Sequence, residues 1–218
     1  MQLTPIEARV IAALAEKSLT TPQYYPMTVN AIMLAANQKS SRNPVMALNE
    51  GEVGAALARL EQDKLVARDD TLGRVSKWRH QFHHQLLVQP QPFALLLALI
   101  LRGPQTLSEL RTNASGLGGP TDADGGAAAI KDLTDRTEPL AVLLPRAPGQ
   151  KEQRYATTLA PQPSPTAAMT APTPAATPTS TPSPPETNAL AELQEKIRLL
   201  EARVEALEQK LPSAPANP

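Results

Sequence analysis

The chain has 218 residues, no net charge, 23 prolines and no cysteine. That length allows one or two domains, and the missing cysteine excludes disulfides, thiolate-bound zinc and thiol catalysis. The neutral balance lacks the basic excess of a dedicated nucleic-acid binder, and the longest apolar run, Phe93 to Leu101, falls far short of the ~20 residues that span a bilayer.

Residues 1–88 read as a first domain. Met1 leads straight into polar, helix-initiating sequence, so no secretory signal and a cytoplasmic location are expected. Thr4-Pro5-Ile6-Glu7 is a capping box with proline at the first helical position, and Ile6, Val10, Ile11 and Leu14 then share one face. A second helix is expected from Thr28, carrying Val29, Ile32, Met33 and Ala36. A third has Asn49 as its cap, Glu52 three residues on, and Val53, Leu57 and Leu60 inward. Leu65 to Arg68 and Val75 to His80, joined by a polar tip with Gly73, predict a β-hairpin. Three helices followed by a hairpin is the winged-helix order.

Residues 89–160 repeat that order more loosely. Phe93 to Leu101 predicts a buried helix stopped by Gly103-Pro104. Thr106-Leu107-Ser108-Glu109 is a second capping box, opening a short helix through Leu110. Ala127 to Arg136, with Ile130 and Leu133 inward, predicts the third helix, its start loosened by Gly125-Gly126. Leu140 to Leu144 and Glu152 to Thr157 bracket a turn at Gly149. The expected class is therefore α+β, mainly helical, with two tandem winged-helix domains.

The remainder differs in kind. In residues 161–188, 24 of 28 positions are Pro, Thr, Ala or Ser, which predicts a disordered linker with too little apolar surface to fold. In residues 189–211, Leu190, Leu193, Ile197, Leu200, Val204, Leu207 and Leu211 recur at alternating spacings of 3 and 4. That is a heptad seam, with Ile197 and Val204 at a and leucine at d, a combination that favours a parallel two-stranded coiled coil. Lys196 and Arg203 fall at g, Glu201 and Glu208 at the following e, so the flanks complement each other in a homodimer. Pro212 ends the helix and 212–218 read as a tail.

Several segments resemble the bacterial YceH-like family. They are Leu19-Thr20-Thr21-Pro22, Tyr25 to Ala31 (Tyr-Pro-Met-Thr-Val-Asn-Ala), Asn37 to Val45 (Asn-Gln-Lys-Ser-Ser-Arg-Asn-Pro-Val), Arg74 to Trp78, and Leu101 to Thr106. The likeness runs over about residues 3 to 159. It implies two tandem winged helices in a cytoplasmic protein and implies no reaction.

The residues point the same way about chemistry. There is no Gly-x-Ser-x-Gly elbow, no His-Glu-x-x-His and no Walker lysine, so no enzyme, metal or cofactor is expected. Gly116 to Pro120 reads as a flexible loop, and His80, His83 and His84 as a solvated turn without an acidic fourth ligand. For duplex DNA the candidate contacts are Lys39, Arg42, Arg59, Arg74, Lys77 and Arg79. Period-2 alternation places Lys77 and Arg79 on one face of their strand. The third helix opens with Glu50 and Glu52, which disfavours phosphate near it, so few and salt-dependent contacts are expected. The competing expectation is a tandem winged-helix scaffold for a protein partner, with no direct contact to DNA.

Overall fold

A computed structural model of the chain describes residues 1–69, 75–146 and 149–161. The expected linker, heptad seam and tail beyond Pro161 lie outside the described residues. Seven helices and two small antiparallel sheets are described, an α+β arrangement dominated by helix. The first half contributes α1 (Pro5–Thr20), α2 (Val29–Ala36), α3 (Glu50–Gln62), β1 (Val66–Asp69) and β2 (Lys77–His80). A four-residue helix, α4 (Phe82–Gln85), leads to the second half: α5 (Pro90–Arg102), α6 (Leu107–Ala114), α7 (Ala123–Thr134), β3 (Ala141–Leu143) and β4 (Tyr155–Thr157). The described residues fall in one compact unit.

The capping residues carry the local structure. Thr4, Asn49 and Thr106 each accept a hydrogen bond from the third helical backbone N–H, and Glu7, Glu52 and Glu109 reach back to the cap. Two orphan N–H groups at each start are thereby satisfied. The two halves also share a less local device. Met27 exchanges both backbone hydrogen bonds with Trp78, at 3.1 and 2.7 Å, and Gln105 does the same with Tyr155, at 3.0 and 2.7 Å. Met27 and Gln105 each stand one residue before the capping threonine of a second helix. Each hairpin is thus pinned to the start of that helix by one extra residue of antiparallel pairing.

Where the structure departs from the sequence expectation, the cause is close packing. α7 starts at Ala123, four residues early, because Asp122 Oδ1 accepts from Gly125 N at 2.7 Å and caps it. Gly125 and Gly126 therefore sit inside the helix and do not loosen it. A Cβ on Gly126 would lie 2.6 Å from Cδ of Arg111, so any larger residue there would have to displace that side chain. α6 runs on to Ala114, beyond Leu110, and the glycine-rich segment after it folds back. Gly119 N donates to Ala114 O at 2.9 Å, and a Cβ on Gly119 would meet that oxygen at 2.8 Å.

The core runs through both halves without interruption. Every residue of α1 from Glu7 to Glu16 is buried, because α2 and α3 cover one side and α5 the other. In α5, Leu95, Leu96, Leu97, Leu99 and Leu101 are all withdrawn from water, each worth about 1.5–3 kcal/mol. Polar ties fasten the seam: Leu3 N donates to Leu159 O at 2.7 Å, Asn43 N to Leu101 O at 2.8 Å, and Arg102 Nη2 to Ser41 Oγ at 2.7 Å.

Of the three histidines, His80 belongs to this seam, whereas His83 is partly buried and His84 is exposed as expected of a solvated turn. His80 closes β2 with its ring stacked on Phe93 at 6.0 Å between centroids, while His83 and His84 lie on α4. Tyr25 Oη accepts from the His80 backbone N–H at 2.6 Å. Nε2 of His80 sits 2.9 Å from Ser18 Oγ, whose own proton goes to Ala15 O at 2.7 Å. Nε2 is therefore the protonated nitrogen of a neutral ring, and Nδ1 is buried with no partner. Burial, followed by His83 and then His84, pushes the His80 pKa down to about 4. An imidazole that charges at pH 6.5 when unfolded and near 4 when folded stabilises the fold fully above 6.5 and progressively less below it. Urea denaturation should show stability falling by about 2 kcal/mol between pH 7 and pH 5, with His80→Gln flattening most of that fall. A wild-type stability that is level across this range would contradict the assignment.

Candidate nucleic-acid interface

The six cations singled out in the sequence do not form one patch. Arg42 is buried, with no side-chain exposure. Its Nη1 and Nη2 donate to Glu16 Oε1 and Oε2 at 3.0 and 2.5 Å, Nε and Nη2 donate to Ala35 O, and Nη2 also reaches Gln38 Oε1. This guanidinium locks the segment after α2 onto α1 and caps the carbonyl end of α2. It has no donor left for a phosphate, which corrects its place in the expected interface. Arg74 lies outside the described residues.

The other four are at the surface in different states. Lys39 is exposed, on the loop after α2, and makes no ion pair among the described residues. Arg59 projects from α3, 69% exposed, with Nη1 3.5 Å from Glu7 Oε1. On the hairpin, Asp69 stands opposite Lys77 and Ala67 opposite Arg79, so these four residues share a face, as alternation along β2 predicted. Arg79 is ion-paired with Asp69 across the strands, whereas Lys77 has no such partner among the described residues. The face is therefore only mildly positive.

The opposite face of the hairpin packs inward. Trp78 is buried, and the Arg68 guanidinium lies 4.9 Å above its ring, a cation–π contact. Arg68 also reaches Glu61 Oε2 at 3.4 Å, so it braces the hairpin against α3. Nothing in the spacing of Arg68 and Trp78 revealed this, because strand pairing across the tip brings them together.

The solvent face of α3 has no basic excess. Glu50, Gly51, Ala55, Ala58 and Arg59 are exposed along it, and the Glu52 carboxylate is engaged in the capping box at 2.8 Å from Asn49 N. Among the described residues no cluster of His, Asp or Glu could hold a metal ion, and no helix is long and apolar enough to cross a membrane.

Residues 3–150 match the model of a protein family described as "Protein of unknown function, DUF480". The chain belongs to this family. The UPF0502 protein of Geobacter sulfurreducens is 45% identical over 161 residues, 74% of each chain. That of Pelobacter propionicus is 46% identical over 159 residues, 73% of each chain. The UPF0502 protein of a Shewanella species is 44% identical over 160 residues, 71% of this chain and 72% of the relative. The family membership agrees with the YceH-like resemblance of the motifs. The DUF480 match takes in α1 to β3, so Lys39, Arg59, Lys77 and Arg79 fall within it, and the heptad seam falls beyond it.

Proposed function

We propose that this chain is a non-enzymatic, cytoplasmic tandem winged-helix protein that holds duplex DNA weakly, in a regulatory role, as a homodimer. The observation that carries the winged-helix reading is the doubled pattern of three helices and a hairpin. In each copy the hairpin gains a third pairing partner just before the second helix, at Met27 and at Gln105. In such a module α3 would face the major groove and the β1–β2 hairpin would grip the backbone. Lys77 and Arg79 on one strand face, Lys39 before α3 and Arg59 on it are the cations placed to meet phosphate. Glu50 opposes close approach by the helix itself. The contacts would therefore position the protein on the duplex without reading sequence.

A protein-scaffold reading has its own support. The exposed face of α3 sets Gly51, Ala55 and Ala58 among Glu50, Glu52 and Arg59, and Leu34 on α2 is 61% exposed. A mixed surface with exposed apolar groups and no basic excess suits a protein partner better than a polyanion.

The salt dependence of binding separates the two. For fluorescence anisotropy on a duplex of about 30 base pairs, replacing Lys77 and Arg79 by alanine should lower the log–log salt slope by about 0.9 for each phosphate that is no longer neutralised, up to about 1.8. Affinity should fall equally on unrelated sequences. An unchanged slope would remove the hairpin from the interface, and no binding by the wild type at low salt would leave the scaffold reading in place.

The homodimer rests on the heptad pattern from Leu190 to Leu211. With hydrophobic seam positions replaced, as in a Leu200→Asp, Leu207→Asp chain, multi-angle light scattering should give half the wild-type mass. A wild-type monomer, or a variant that stays dimeric, would overturn that assembly.

A further inference from the structure

Arg9 is an anomaly of the first helix. It is 2% exposed, yet no carboxylate among the described residues pairs with it. Its Nη1 donates to Ala36 O at 3.3 Å and its Nη2 to Pro44 O at 2.8 Å, while the buried Nε–H has no acceptor among the described residues. The nearby Glu16 carboxylate is taken on both oxygens by Arg42. The buried group of Arg9, Arg42 and Glu16 therefore carries one uncompensated positive charge. The carbonyl end of α2 offsets part of it through its dipole, but a buried cation without a counter-charge is costly to keep.

Arg9 lies at the wall of a cleft of about 290 Å³ between the two halves of the fold. Ala8 of α1, Pro44 and Met46 of the segment before α3, Ile100 of α5 and Ala160 after β4 make it largely apolar, and the Asn43 amide stands with Arg9 as its polar edge. Small-molecule sites are typically concave, mostly apolar and set between packed units, with few polar groups to fix orientation. One unpaired cation in an apolar cleft selects one kind of guest.

We infer that this cleft binds a small organic monoanion, a carboxylate with an aliphatic or aromatic body. Its charge would face the Arg9 guanidinium and its apolar part would lie against Met46 and Ile100. The ligand would touch α1 and the 43–46 segment on one side and α5 on the other, so its binding would tighten the junction of the two halves. This site is separate from the hairpin and stands whether or not the protein holds DNA.

The test uses the full-length chain labelled with [methyl-13C]methionine. Benzoate and hexanoate are titrated at constant chloride, beside benzamide and hexanamide as neutral isosteres. The Met46 methyl signal should move saturably with the carboxylates, at least tenfold more tightly than with the amides, while those of Met27 and Met33 stay in place. Arg9→Met should weaken carboxylate binding at least tenfold. Because Arg9 also caps α2, Ile100→Trp serves as a second variant that fills the cleft and leaves the guanidinium intact. It should abolish the Met46 response with the Met27 and Met33 signals unchanged. A Met46 signal that does not move, amides that bind as well as carboxylates, or a carboxylate response that survives Ile100→Trp would each overturn the proposal.

Discussion

The contact between α1 and α5 is the constraint on which the rest depends. Both helices are buried nearly all round, α1 from Glu7 to Glu16 and α5 from Pro92 to Leu99. A helix without a polar face has to be covered on every side, and neither half has enough elements to do that alone. α2 and α3 cover one flank of α1, α6 and α7 cover α5, and each central helix supplies the missing cover for the other. The two repeats are thus joined through their interiors, and the outer helices and hairpins take their positions from that shared core.

The same constraint explains where the arginines go. Arg42 ties the loop after α2 to Glu16, Arg9 caps α2, Arg136 donates to Leu86 O and Leu87 O, and Arg154 holds Pro104 O and Glu109. Each uses a planar fork of donors to satisfy backbone or carboxylate oxygens that loops leave open near the core. Arg9 and Arg42 are thereby taken up in the interior, and Arg136 and Arg154 are engaged at its edge. The cationic edge of the apolar cleft beside Arg9 comes from the same inward placement of charge.

Much of this was legible in the residues. The capping boxes at Thr4, Asn49 and Thr106 start helices where the spacing predicted, and the hairpin face of Lys77 and Arg79 followed from alternation alone. What stayed hidden is non-local. The burial of Arg42 depends on Glu16, 26 positions away, and a lone arginine in a polar loop gives no sign of it. The burial of His80 depends on Phe93 and Ser18, brought in from α5 and α1. The early start of α7 escaped because glycines stand where a helix former is expected; Gly125 lies against Asp122 and Pro120, and Gly126 against Arg111.

The central claim is that the two repeats form one cooperative body through α1 and α5. Hydrogen exchange followed by mass spectrometry in low denaturant tests it most directly, since exchange reports the free energy of the smallest opening that exposes each amide. Peptides from α1 and α3 and peptides from α5 and α7 should then exchange with the same free energy and the same denaturant dependence. If α5 and α7 exchanged at distinctly lower free energy while α1 and α3 stayed protected, the halves would be separate domains and the shared core would be refuted.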